Sequence, residues 1–292
     1  MAGALHMRLL FFGTPQFAVP TLEAIAREHE VVLVVAQPDK PAGRGMHLQA
    51  PAVVVRAREL GLPVAQPPKI RDFAPPAAEA AIVVAYGKIL PAALLATMPF
   101  YNVHASLLPK YRGAAPIQRS IEHGEAETGV TIMRIDEQLD HGPTLLAAST
   151  AIDPDEHSPG LGSRLSALGA DLMRRVLRER PAEVEQDHAR ATLAPKIDKE
   201  EGLVDWSAPA RAIYDKFRAF DPWPGIFTDT MKLIDVAPAS GQGAPESILA
   251  IDDGVVVACG EGALRVRTIQ RAGKPRVNAA DVARAERWRV FP

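Results

Sequence analysis

Short apolar runs alternate with stretches of helical spacing through the first half of the chain. Arg8-Leu-Leu-Phe-Phe12 stops at Gly13-Thr14-Pro15, after which Phe17, Val19, Leu22, Ile25 and Ala26 recur at roughly helical intervals. Val31 to Ala36 is a second apolar run, so the chain opens as strand, turn, helix, strand. Strands that are apolar on both faces belong to a parallel sheet covered on both sides. Further strands are expected at 81–85, 100–105, 129–135 and 144–152, and helices at 51–60, 116–123 and 158–180. The last helix carries Leu161, Leu165, Leu168, Leu172 and Val176 on one face. Residues 63–76 hold too many prolines for a helix. Residues 181–200 are charged and poorly periodic and read as a linker. Beyond them a helix over 208–220 ends at Asp221-Pro-Trp-Pro-Gly225. Short β-rich runs such as 254–258 and 263–267 then alternate with glycine turns, the pattern of a small barrel or sandwich.

Composition narrows the class. Of 292 residues, 47% are hydrophobic and 23% charged, which is ordinary for a globular protein, and no apolar run approaches bilayer length. One cysteine, Cys259, excludes an intrachain disulfide and a multi-cysteine zinc site; it suits a reducing cytoplasm and reads as a buried thiol. Residues 1–6, ahead of Met7, show no cleavable signal pattern and are left out of the fold. The net charge of −2 conceals a local +6 over residues 265–292, a basic end suited either to a polyanion or to a solvated face. The first turn lacks the Gly-x-Gly-x-x-Gly pattern and no Walker sequence occurs, so no dinucleotide or nucleoside-triphosphate site is expected. The Pro- and Gly-rich loop at 37–49 carries Lys40, Arg44 and His47, either as a functional loop or as solvated linker.

Candidate chemistry gathers at strand ends, where open α/β sheets bind ligands. Asn102 and His104, two apart on one strand, face the same side, and Asp140 lies in a turn after a later strand. A base, a carboxylate and an amide donor can together move an acyl group. No serine or cysteine sits in a nucleophile elbow, so transfer would be direct. The same three residues also suit structural roles, as a hydrogen-bonded histidine, a backbone-bonding asparagine and a turn-forming aspartate. A metal site built from His104, Asp140 and His141 is not expected.

The order of motifs along the chain resembles the methionyl-tRNA formyltransferases. The matching pieces are Phe12-Gly-Thr-Pro15, residues 37–45, Val84-Ala-Tyr-Gly87 with Ile89-Leu-Pro91, Asn102-Val-His-Ala-Ser-Leu-Leu-Pro109, Arg112-Gly-Ala-Ala-Pro-Ile-Gln118 and Glu127-Thr-Gly-Val-Thr-Ile132. Leu139-Asp-His-Gly142, Pro195-Lys-Ile, Lys199-Glu-Glu, Asp205-Trp-Ser207 and Pro222-Trp-Pro224 follow. The resemblance implies a Rossmann-like, mostly parallel catalytic domain over 7–185, a linker over 186–204, and an OB-like β-barrel domain over 205–292 that holds tRNA. It implies 10-formyltetrahydrofolate as formyl donor, without a metal, and initiator methionyl-tRNA as acceptor. The donor site is expected at Ser106, Leu107, Leu108 and Pro109 and at the turn of Tyr86, Gly87, Ile89 and Leu90. Asn102 is expected as oxyanion donor, His104 as general base and Asp140 as its orienting group. Lys40, Arg44, Arg265, Arg267, Lys274 and Arg276 are the expected tRNA contacts, on a cytoplasmic monomer. Two departures from the family pattern stand out: a shortened segment before Ala81, which alters the edge of the donor pocket, and Phe100-Tyr101 where small residues are common. The nearest rivals are formyl-folate enzymes acting on a glycinamide ribonucleotide or an amino sugar, or hydrolysing the donor. A more distant one is a non-catalytic RNA-binding protein of the same fold.

Overall fold

The computed structural model describes residues 6–42 and 47–292. Contacts divide the chain into two compact units, one of Met1–Pro116, Glu127–Ala151 and Gly162–Pro195, the other of Ile117–Ala126, Ile152–Leu161 and Lys196–Pro292. The first part of the chain runs β1 (Arg8–Gly13), α1 (Val19–Ala26), β2 (Glu30–Val35), β3 (Lys40–Ala42), β4 (His47–Gln49), α2 (Ala52–Glu59), β5 (Val64–Ala65), β6 (Ala80–Val84), α3 (Ala92–Leu95) and β7 (Phe100–His104). It continues through β8 (Arg112–Gly113), α4 (Pro116–Glu122), β9 (Glu127–Arg134), β10 (Thr144–Ala151), α5 (Ser158–Glu179) and β11 (Leu193–Ala194).

The main sheet has the order β10-β9-β7-β6-β1-β2-β5. The five strands from β7 to β5 are parallel, and β9 and β10 add an antiparallel edge. Every residue of β6, and all of β1 except Arg8, is buried, as a sheet covered on both faces requires. From β1 the chain steps outward through β2 and β5, then crosses to β6 and β7 on the other side. The carboxyl ends of β1 and β6 are therefore the topological switch point, where such sheets open a crevice. Pairing of Gly13 with Val84 and of Val83 with Asn102 brings the ends of β1, β6 and β7 together there.

Below that crevice lies an aromatic cluster. The Phe12 ring meets Phe73 at 6.0 Å, Tyr86 at 5.5 Å and Phe100 at 5.7 Å between centroids. Such pairs contribute about 0.5–1.5 kcal/mol each beyond their buried area. Phe100, unusual against the family pattern, thus fills core. The short segment before β6 makes a single 3-10 turn, Ile70–Asp72, whose Ile70 is buried in the same cluster.

Two stretches differ from expectation. The 37–49 loop contains a hairpin, β3 with β4, whose proline and glycine content hides its strands from a composition-based reading. Residues 186–195, expected as linker, pack within the first unit, where β11 runs parallel to β8 with Leu193 opposite Arg112 and Ala194 opposite Gly113. Residues 196–204 go with the second unit.

The second unit adds α6 (Ala210–Ala219), β12 (Ile226–Phe227), β13 (Lys232–Ala239), β14 (Ile248–Ile251), β15 (Val255–Ala258), β16 (Ala263–Gln270), β17 (Arg276–Asn278) and α7 (Ala279–Glu286). Its strands form an antiparallel sheet in the order β12-β13-β16-β15-β14, with β17 also on β16. Irregularities in β13 and β14 bend this sheet around one apolar core that includes Ile213, Leu233, Val257, Val266 and Phe291. Cys259 is buried there, and burial pushes its thiol up to about 11, so it is not a reactive nucleophile near neutral pH.

Candidate active site at the ends of the parallel strands

Strand β7 delivers Asn102 and His104 on one side, and the loop between β9 and β10 brings Asp140 to meet both. Asn102 Nδ2 lies 3.5 Å from Asp140 Oδ1, and His104 Nδ1 lies 3.6 Å from Asp140 Oδ2. His104 is 5% exposed and the Asp140 side chain 13%. The other imidazole nitrogen, Nε2, stands 2.9 Å from the Tyr111 carbonyl oxygen. A carbonyl only accepts, so Nε2 carries the hydrogen and the Nδ1 lone pair faces Asp140. The three expected catalytic residues are thus together, but the group that fixes the far side of the ring is the Tyr111 carbonyl. Asp140 sits on the Nδ1 side of the ring. Its Oδ2 also accepts the Gly113 N–H at 2.8 Å.

This corner is held in uncommon backbone shapes. Ala85, Gly87, Tyr111, Gly113 and Asp140 all have positive φ, at 46°, 77°, 60°, 129° and 48°. For the non-glycines each costs on the order of 1–3 kcal/mol and persists only where the surroundings impose it. At Gly113 a side chain is excluded outright, because a Cβ would stand 2.5 Å from the Ala194 carbonyl oxygen. Around Tyr111, Gly113 and Asp140 the imposing contacts come from residues 186–194. Thr192 Oγ1 accepts the Tyr111 N–H at 2.9 Å, and the Thr192 carbonyl accepts the Arg112 N–H at 2.8 Å. Buried Gln186 donates through Nε2 to the Asp140 carbonyl at 3.0 Å and the Gly142 carbonyl at 2.7 Å, clamping the turn that carries the carboxylate. Its Oε1 accepts from Arg112 Nη2 at 2.7 Å, and the same Nη2 donates to His188 Nδ1 at 2.8 Å. The His188 ring stacks on His141 at 3.9 Å, and His141 Nδ1 lies 2.7 Å from Asp136 Oδ2.

On the expected donor side, Ser106 Oγ donates to the Lys110 carbonyl at 2.6 Å. Thr131 Oγ1 donates to the Ser106 carbonyl at 2.7 Å while accepting the Leu108 N–H at 3.1 Å. The buried Ser106 hydroxyl is therefore engaged inside its own loop, and Leu107, Leu108 and Pro109 are half-buried. Tyr86 turns its ring into the Phe12 cluster, and Leu90 is buried there too. Burial raises the Tyr86 hydroxyl pKa, and among the described residues that hydroxyl has no hydrogen-bond partner. The Tyr86 carbonyl accepts from Thr14 Oγ1 at 3.1 Å and Gln37 Nε2 at 2.8 Å, tying the ends of β1, β2 and β6 together. Ile89, 87% exposed, and the left-handed Gly87 are the parts of this turn open to a ligand.

The expected tRNA contacts scatter. Lys40 is exposed on β3, and Arg44 lies outside the described residues. Arg265 and Arg267, on β16, are engaged by carboxylates: Arg265 pairs with Asp253 and, at 3.0 Å, with Asp252, while Arg267 reaches Asp253 at 3.2 Å and Asp235 at 3.7 Å. Lys274 and Arg276 are exposed around the β16–β17 turn. Residues 196–292 hold 14 Lys and Arg against 14 Asp and Glu, so the +6 of the tail is cancelled by acids elsewhere in the same stretch.

Sequence reasoning missed Tyr111, Gly113, Thr131, Gln186 and Thr192. Four of the five act through or upon backbone groups beside positive-φ residues, and only the glycine at 113 carries a sequence signal for such a shape. Thr131 was hidden because its hydroxyl faces a loop that pairing of His104 with Thr131 across β7 and β9 brings near.

Comparison with known proteins identifies the fold and the kind of enzyme. A family model described as Formyl transferase matches residues 7–177, and one described as Formyl transferase, C-terminal domain, matches residues 196–287. A methionyl-tRNA formyltransferase of Anaeromyxobacter dehalogenans is 45% identical over 98% of this chain and 99% of its own length. Those of Deinococcus radiodurans, at 46% over 94% of this chain and 91% of its own, and Thermus thermophilus, at 44% over 95% and 96%, are similar to the same degree. Among solved structures, an N-formyltransferase from Helicobacter canadensis in complex with folinic acid and dTDP-3-aminofucose superposes with a TM-score of 0.68 at 16% identity, covering 88% of this chain and 98% of that one. HypX from Aquifex aeolicus in complex with tetrahydrofolic acid superposes at 0.64 and 19%, covering 96% of this chain and 47% of that one. At such identities these structures speak for the fold, whereas the full-length sequence relatives speak for the kind of enzyme: the chain belongs to the methionyl-tRNA formyltransferase family.

Proposed function

We propose that this enzyme moves the formyl group of 10-formyltetrahydrofolate directly to the α-amine of methionine on initiator tRNA, at the corner formed by Asn102, His104 and Asp140. The observation that carries the proposal is the meeting of these three side chains at the switch point of the sheet. The donor is proposed to lie along half-buried Leu107, Leu108 and Pro109 and exposed Ile89, with the backbone at Gly87 open beside them. These groups suit a flat, polar-edged ring system, and no metal is invoked.

An α-amine with a pKa of about 7.7–8.0 is only about a tenth to a sixth unprotonated at pH 7, and only that form attacks carbon. As the new C–N bond forms, Asn102 Nδ2 is placed to donate to the developing oxyanion. His104 receives the proton that the amine gives up, and Nδ1 is the nitrogen that can take it because Nε2–H is committed to Tyr111. Asp140 stabilises the resulting imidazolium, and the same proton then leaves with the donor nitrogen as its C–N bond breaks. Proton and charge balance without any group from outside the site. The enzyme is proposed to act as a monomer in the cytoplasm.

Incubation of the protein with 10-formyltetrahydrofolate and methionyl initiator tRNA is expected to yield formylmethionyl-tRNA. In the same assay His104→Ala is expected to lose on the order of 100- to 10,000-fold in rate. Equal transfer to free methionine would contradict the tRNA acceptor, and full activity of His104→Ala would contradict the base.

A further inference from the structure

A groove of about 690 Å³ lies wholly within the second unit, between the Trp223-Pro224 loop, the turn from Phe227 to Lys232 and the turn from Gln270 to Gly273, with Lys199 also lining it. Trp223 is 55% exposed. A large indole left open to water next to cations has the make-up of a platform for a nucleotide, since every base has a π-face to stack and every nucleotide a phosphate to neutralise. Lys199 is exposed. Lys232 donates its ammonium to the Pro222 carbonyl at 3.2 Å, which sets a positive charge against the loop that presents Trp223. Arg271 faces the groove while holding Glu286 at 2.8 and 2.7 Å, so part of its charge is shared. Asp229 is the acid among the lining residues. Lys274, next in chain, is exposed and has no acidic partner among the described residues. This contrasts with β16, where two arginines face Asp235, Asp252 and Asp253.

We propose that this groove seats an unpaired nucleotide of the tRNA substrate, its base stacked on Trp223 and its phosphates toward Lys199, Lys232 and Arg271. The proposal rests on tRNA being the acceptor. It places the RNA contact of the second unit on the Trp223 groove in place of Arg265 and Arg267.

The test uses the full chain and methionyl initiator tRNA, with KM for tRNA, kcat at saturation and equilibrium binding measured against salt. Trp223→Ala is expected to raise KM and weaken binding roughly 5- to 150-fold while leaving kcat unchanged, the range typical of one lost base stack. Trp223→Phe is expected to restore most of the affinity. Lys199→Gln is expected to weaken binding and to lower the slope of log affinity against log salt by about 1. In the unaltered protein, tRNA is expected to protect Lys199 and Lys232 from acetylation, a readout that does not depend on any variant folding. Wild-type KM in Trp223→Ala, or absence of protection, would overturn the groove while formylation of tRNA continued. Failure of the unaltered protein to formylate tRNA would instead overturn the reading on which the groove rests.

Discussion

Around His104 the charged and polar groups meet backbone. Nε2–H meets the Tyr111 carbonyl, Asp140 meets the Gly113 N–H, and Gln186 meets two carbonyls of the Asp140 turn. On β16 the guanidinium groups of Arg265 and Arg267 meet carboxylates on neighbouring strands and turns. The first pattern brings a ring nitrogen and an amide hydrogen to the two oxygens of one carboxylate, with backbone groups holding the ring and the carboxylate in place. The second leaves little net charge to offer a phosphate, because three aspartates stand against two arginines. A side chain's type therefore says what it can do, and its partners decide whether that capacity faces outward. Both regions look equally functional in one dimension.

Substitutions in each region separate the two patterns. The larger effect is expected from Gln186→Ala, which removes both hydrogen bonds that hold the Asp140 turn at positive φ. Displacement of a catalytic group by about 1 Å costs on the order of 100-fold, so a 10- to 100-fold fall in kcat is expected, with KM for tRNA nearly unchanged. Steady-state kinetics on the folded variant checks this, and an unchanged kcat would show that the turn holds itself. A smaller effect is expected from Arg265→Gln combined with Arg267→Gln. If these side chains serve Asp235, Asp252 and Asp253, tRNA affinity changes by no more than about threefold and the salt slope moves by less than 1. Exposed pairs of this kind contribute about 0–1 kcal/mol each to stability, so a modest fall in melting temperature accompanies the change. A tenfold loss of tRNA affinity would instead return these arginines to the RNA surface.

Much of the fold was legible because burial on both faces writes itself as unbroken apolar runs. β1, β2, β6 and β7 fall where Leu9–Phe12, Val31–Val35, Ala81–Val84 and the Phe100 stretch lead one to look. The meeting of Asn102 with His104 followed from strand alternation, and Asp140 from its motif. The β3–β4 hairpin was illegible because its strands are three residues long and carry Pro41. The role of residues 186–192 was illegible for another reason. Gln186 and Thr192 act by bonding backbone atoms distant in sequence, and nothing in Glu185-Gln-Asp187 distinguishes such a clamp from an exposed linker. The neutralisation of Arg265 and Arg267 escaped because local charge was summed along the chain, whereas their partners Asp235, Asp252 and Asp253 lie outside the tail.

Direct transfer, as proposed, depends on an amide donor beside His104 and Asp140. Single-turnover formyl transfer by Asn102→Ala, at saturating 10-formyltetrahydrofolate and methionyl initiator tRNA, tests it with binding removed from the rate. The expected result is a rate lower by about 100- to 1,000-fold, the effect of losing one oxyanion donor, with tRNA affinity within a factor of about two of the unaltered protein. A single-turnover rate within about threefold of the unaltered protein would contradict it.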